Sequence, residues 1–143
     1  MQRVSDSSPL YRVLLVGEES LMLDGLSHLI GSLPYPVEIE RVGGIDELAG
    51  LERAFNLVIL GNLPPGSDYT SVVRDVKAMT RGAAVAILVQ TESATVVRSI
   101  ISAGAAGVVP TSAQPRVILH AIELMLSGGV YLPLSVLGAP ASG

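Results

Sequence analysis

The sequence has no cysteine, which removes disulfides, thiolate metal sites and cysteine nucleophiles together. It has no tryptophan, one phenylalanine and only 3% aromatics, so a core must be built from Val, Leu, Ile and Ala. Lysine occurs once, at Lys77 inside an expected helix, so no strand-end loop can offer a phosphate-gripping lysine. No Gly-x-Gly-x-x-Gly follows an apolar run, and no Gly-Lys-Ser/Thr is present. The longest unbroken apolar run, Ala83 to Val89, is far too short to cross a bilayer. Met1 to Asp6 lack the apolar segment of a signal peptide. Nine basic against thirteen acidic residues leave a net charge of −4, a poor balance for gripping nucleic acid. These absences point to a cytoplasmic domain with no membrane contact and no resident cofactor.

What is present supports a well-filled fold. Of 143 residues, 49% are hydrophobic and 15% charged, which excludes a disordered chain and suits one domain. Residues 1–11 are polar and read as a disordered leader. Residues 12–132 hold the folded unit. Residues 133–143, ending Gly138-Ala139-Pro140-Ala141-Ser142-Gly143, read as a linker-like tail.

Within 12–132, short apolar runs alternate with amphipathic segments. Arg12–Val16, Val37–Arg41, Leu57–Leu60, Ala84–Val89 and Gly107–Val109 read as strands, the second near a sheet edge. Ser20 caps a helix with Met22, Leu26, Leu29, Ile30 and Leu33 on one face. Further helices are expected over about Ile45–Arg53, Thr70–Met79 (Val72, Val73, Val76 and Met79 inward), Ala94–Ala103 and Pro115–Ser127. Five β-α units in succession imply a doubly wound, five-stranded parallel sheet covered on both faces. Ligands and chemistry in such a fold sit at the C-terminal strand ends, here Gly17-Glu18-Glu19, Gly61-Asn62, Val89-Gln90-Thr91 and Pro110-Thr111-Ser112.

Those ends carry little chemistry. His28 and His120 fall within helices, and no Asp or Glu stands at metal-ligand spacing to either. No serine lies in a Gly-x-Ser-x-Gly elbow. An enzyme would need a titratable strand-end group, for which only Glu18, Glu19 and Glu92 qualify, so no enzymatic activity is expected.

The ordered landmarks resemble response-regulator receiver domains, in particular those of the NarL/FixJ (LuxR-type) subfamily. The stretches that carry the resemblance are Val13-Leu14-Leu15-Val16, Asp24-Gly25-Leu26, Asn56 to Leu60, Pro65-Gly66-Ser67-Asp68, Ala103 to Gly107, and Ala121-Ile122 through Gly128-Gly129-Val130-Tyr131-Leu132. The resemblance covers residues 12 to about 132 and implies a (βα)5 flavodoxin-like fold with strand order 2-1-3-4-5. It also implies a two-component signalling role, with DNA reached only through a helix-turn-helix output domain that these residues do not contain. A fragment of a longer regulator and a stand-alone module both fit.

The family's chemistry does not carry over. Where it places two Mg²⁺-binding acids after the first strand, this sequence has Gly17 and Glu18. The phosphoacceptor position is Gly61, the hydroxyl position is Val89 (or Gln90 if the register slips by one), the lysine position is Thr111 and the aromatic switch position is Val108. Mg²⁺ asks for octahedral oxygen ligation, and Gly61 supplies neither nucleophile nor ligand. The resemblance therefore implies an atypical, phosphorylation-independent receiver.

Three features admit a sharper and a plainer reading. Glu18 and Glu19 are weak metal candidates, or acids that favour a helix N-terminus. Gly17 and Gly61 open a cleft for a small ligand, which would make the domain a ligand sensor, or neighbours such as Glu18, Asn62 and Leu63 close it. Gln90, Thr91, Thr111 and Ser112 can bind an anion, or simply furnish turns. The last helix is more informative. With Ile118, Ala121, Ile122 and Met125 inward, it still carries Val117, Leu119, Leu124 and Leu126, more apolar surface than one sheet can bury. Val117, His120 and Leu124 are the expected face of a homodimer or of a protein partner.

Overall fold

The computed structural model describes residues 10–51, 54–61, 63, 67–90 and 93–133. Five parallel strands, β1 (Tyr11–Val16), β2 (Val37–Val42), β3 (Leu57–Leu60), β4 (Ala84–Val89) and β5 (Gly107–Pro110), form one sheet in the order β2-β1-β3-β4-β5. The β-rich runs of Val, Leu and Ile explain why the central strands are buried on both faces: Val13 to Val16, Leu57 to Leu60 and Val85 to Val89 all lie in the core. β2, whose residues alternate apolar and charged, lies at one edge of the sheet. The doubly wound sheet and its strand order are as the sequence led us to expect.

Alternating side chains feed two cores. On one face, α1 (Leu21–Gly31) and α4 (Pro115–Leu126) bury Leu23, Leu26, Ile30, Ala121, Ile122 and Met125 against Val13, Leu15, Leu57 and Ile59. On the other, a 3₁₀ helix (Ile45–Gly50), α2 (Tyr69–Met79) and α3 (Ala94–Ser102) bury Leu48, Val73, Val76, Val97 and Ile100 against Leu14, Val58, Leu60 and Ile87. Caps begin the helices where the sequence supplies them. Ser20, Asp68 and Ser93 accept hydrogen bonds from the backbone N–H of Leu23, Ser71 and Val96. Pro115 opens α4.

Several local expectations are corrected. The segment from Ile45 is a 3₁₀ helix ending at Gly50, held by Glu47 N–H to Gly44 C=O and Leu51 N–H to Leu48 C=O; residues 52–53 lie outside the described residues. On α1 the buried stripe is Leu23, Leu26, Ile30 and, beyond the helix, Leu33, while Met22 and Leu29 are only half-buried. Met79 is 37% exposed. Thr80 is buried in its place, its hydroxyl donating to the Val76 carbonyl at 2.7 Å. Tyr11 already belongs to β1, paired with Val37. After α4 the chain returns to the sheet: Tyr131 bridges Gly107 beyond β5, its N–H donating to Ala106 C=O at 2.8 Å, and Pro133 is buried. The expected leader (residues 1–9) and most of the tail (134–143) lie outside the described residues.

Candidate functional site

Parallel register brings the strand ends to one rim. Val16 pairs with Leu60, Leu60 with Ile87, and Val89 with Pro110. Gly17, Gly61, Val89 and Thr111 therefore follow or end adjacent strands, tied by Gly61 N–H to Val16 C=O at 2.9 Å and Thr111 N–H to Val89 C=O at 2.7 Å. Glu18, Glu19 and Gln90 are exposed, Thr111 is half-buried, and Val89 and Gly61 are buried. Thr91, Glu92 and Asn62 lie outside the described residues.

The space between the two glycines is filled from α1. A Cβ on Gly61 would sit 3.2 Å from Leu23 Cδ2 and 3.4 Å from Leu88 Cδ1; a Cβ on Gly17 would sit 3.0 Å from Leu23 Cδ1 and 3.1 Å from the Gly61 carbonyl oxygen. Leu23 is fully buried. Its isobutyl group thus reaches into the space that side chains at both positions would enter, so of the two readings, an open cleft or a site closed by neighbours, the described residues favour the closed one. Leu23, which was not among the closing neighbours named from the sequence, is the side chain that approaches both glycines. Gly17 also holds φ +148°, a backbone conformation that residues with a Cβ rarely adopt. An acid at position 17 would meet both a crowded site and a strained backbone.

Among the described residues no acid is placed at the end of β3. Asp68 is engaged at the start of α2, where it accepts from the hydroxyls of Ser71 and Thr70, each at 2.8 Å, and from the Ser71 N–H at 3.3 Å. The hydrogen bonds from Ser71, then those from Thr70, hold its carboxyl below the ordinary range for aspartate. Asp24 pairs with Arg41 at 2.5 Å on the outer side of α1. Among the described residues no three His, Asp or Glu side chains gather as a metal site.

The α4 residues do come together. Val117, His120 and Leu124 lie on one side of the helix and, with Arg116, Val130, Tyr131 and Leu132, line an open groove of about 590 Å³. Val117, Leu124 and Val130 are 39%, 41% and 53% exposed. Leu119 and Leu126, by contrast, pack partly against the core. The residues 130–132 that complete the groove were not anticipated; their signal in the sequence is an apolar run directly after Gly128-Gly129. Behind the same helix, the Tyr35 hydroxyl donates to Glu123 Oε2 at 3.3 Å. Burial first, and the Glu123 carboxylate second, raise the Tyr35 phenol above its ordinary range.

No helix among the described residues is long and apolar enough to cross a membrane. No protein-family model matches the sequence, and no curated protein matches it. Solved structures do. A LuxR family DNA-binding response regulator from Silicibacter pomeroyi superimposes with TM-score 0.73 at 25% identity, over 87% of this chain and 98% of that one. A LuxR family two-component response regulator from Aurantimonas sp. SI85-9A1 gives 0.77 at 21% identity, over 90% and 94%. The isolated REC domain of RcsB from Salmonella enterica serovar Typhimurium gives 0.70 at 16% identity, over 90% and 97%. The chain therefore has the receiver fold, and its structural neighbours include response regulators of the LuxR family.

Proposed function

We propose that this chain is a regulatory receiver-like domain of signal transduction that takes no phosphoryl group and acts by association. The observation that carries this reading is Gly61 at the end of β3, buried beneath Leu23 and Leu88. A phosphoryl acceptor there needs a carboxylate, a bound Mg²⁺ and room for in-line attack. Position 61 offers no carboxylate, position 17 no acid, and Leu23 crowds the space that a side chain at either position would enter. Regulation then rests on a partner with different affinity for different states, or on fixed association.

The association reading rests on α4. Val117, Leu124 and Val130 stand exposed around a groove of seven residues with few polar groups. Burying such side chains contributes about 1.5–3 kcal/mol each when fully covered. A symmetric homodimer pairs this face with itself and sets the spacing of whatever output domain is attached, most directly a DNA-binding one in transcription control. In this reading the domain is cytoplasmic, has no cofactor, catalyses nothing, and touches DNA only through that output domain.

Incubation with acetyl phosphate and Mg²⁺, followed by intact-mass measurement, tests the first part. No added phosphoryl mass is expected, and an adduct mapped to residues 57–66 overturns it. Sedimentation of Val117→Glu/Leu124→Glu tests the second. A folded monomer is expected from a dimeric parent, and an unchanged dimer removes this face.

A further inference from the structure

A second groove, of about 400 Å³, runs between α2 and α3 on the opposite side of the sheet from α4, and its chemistry is of another kind. Thr95, Arg98, Ser99 and Ser102 are spaced i, i+3, i+4 and i+7, so they form one stripe along α3, while Val97 and Ile100 turn into the core. Arg74 faces this stripe from α2. Among the described residues no carboxylate lines the groove. The chain carries more acid than base, and Arg12 and Arg41 are paired with Glu38 and Asp24. Arg74 and Arg98 make no ion pair or hydrogen bond within the described residues. Ser99 donates its hydroxyl hydrogen to the Thr95 carbonyl at 3.1 Å; the hydroxyls of Thr95 and Ser102 have no such partner among the described residues. At the C-terminal end of α3, where the helix dipole would repel an anion, Lys77 Nζ donates to the Gly104 carbonyl at 3.2 Å and offsets that partial charge.

We infer that the α2–α3 groove binds the phosphate group of a phosphorylated small molecule. Two guanidiniums and two free hydroxyls offer more donors than a carboxylate can accept. A phosphate dianion, with three terminal oxygens, matches their number and charge. The volume suits a small ligand. This inference is independent of the α4 association surface, because the two grooves share no residue.

The test is a backbone-amide NMR titration of the full chain with inorganic phosphate and ribose 5-phosphate, against sodium chloride at matched ionic strength. Both phosphates are expected to shift amides in 95–102 and around Arg74, and chloride is not. Arg98→Ala should weaken ribose 5-phosphate binding about tenfold, and Arg74→Ala/Arg98→Ala should abolish it. Arg98→Lys should fall between parent and Arg98→Ala, because a point charge replaces a planar fork. These exposed positions leave the melting temperature unchanged, which is measured alongside. Equal shifts around Arg81 and Arg116, or an unaltered midpoint in the double variant, overturn the inference. So does tighter binding of a glutamate-rich peptide than of ribose 5-phosphate, which would make the groove a contact for acidic protein segments.

Discussion

Restoring a carboxylate at the end of β3 should not restore a receiver's chemistry, and Gly61→Asp shows why. The backbone at Gly61 is not in the left-handed region, so a side chain is sterically allowed by φ. The new Cβ, however, arrives 3.2 Å from Leu23 Cδ2 and 3.4 Å from Leu88 Cδ1. Such overpacking costs about 1–3 kcal/mol, and a buried carboxyl without a hydrogen-bond partner costs about 1–3 kcal/mol more. Against a domain stability of about 5–15 kcal/mol, the urea midpoint should fall by roughly 1–3 M. Burial raises the introduced carboxyl's pKa, so below about pH 3.9 both states are protonated and the ionisation penalty vanishes. Above that pH only the unfolded chain ionises freely, and the destabilisation grows as pH rises. Acetyl phosphate should leave no adduct. In a Leu23→Ala background the same substitution should cost at least about 1 kcal/mol less, because the crowding atoms are gone. A Gly61→Asp protein as stable as the parent and labelled by acetyl phosphate would refute the claim that Leu23 closes this site.

Three further outcomes follow from particular contacts. Leu23→Ala should lower stability by about 2–5 kcal/mol in urea denaturation, since Leu23 is fully buried between two glycines that cannot move in to fill the hole. Asp68→Ala should lower the melting temperature at neutral pH by removing the cap of α2. Because the Asp68 carboxyl is held below its ordinary range, its contribution is present above the unfolded pKa and lost as pH falls through the folded one, so parent and variant should converge in acid. The Tyr35 phenol should titrate above 10.0 in the folded protein, read by phenolate absorbance. Its contribution to stability should fade as pH rises through that unfolded value and be absent from Tyr35→Phe.

The five strands and four of the helices were legible because hydrophobic periodicity and capping are local, whereas the strand order came from the resemblance to receiver domains. Val13 to Val16 and Leu57 to Leu60 announce buried strands wherever they occur, and Ser20 and Pro115 mark helix starts without help from the rest of the chain. That Gly17 and Gly61 stand at the ends of β1 and β3, where the resemblance to receivers implies acids, was also readable from order along the sequence. The phase of α1 was not. Two stripes share Leu26, Ile30 and Leu33, and only the helix's seat over β1 and β3 chooses Leu23 over Met22 as the inward residue. The same holds for Met79 and Thr80 at the end of α2.

Whether two missing side chains leave a hole or a plugged surface depends on which atoms cross the rim from another element, and that is a property of packing rather than of spacing. The groove beside α4 needed Val130 to Leu132 to return along β5, a long-range pairing with no local signature. The facing of Arg74 to the α3 stripe likewise required two helices, separated in sequence by β4, to be laid side by side on one sheet. Composition and periodicity dictated the layers; only the assembled chain decided which surfaces are filled, which are bare and which are charged, because volume and desolvation are settled between residues distant in sequence.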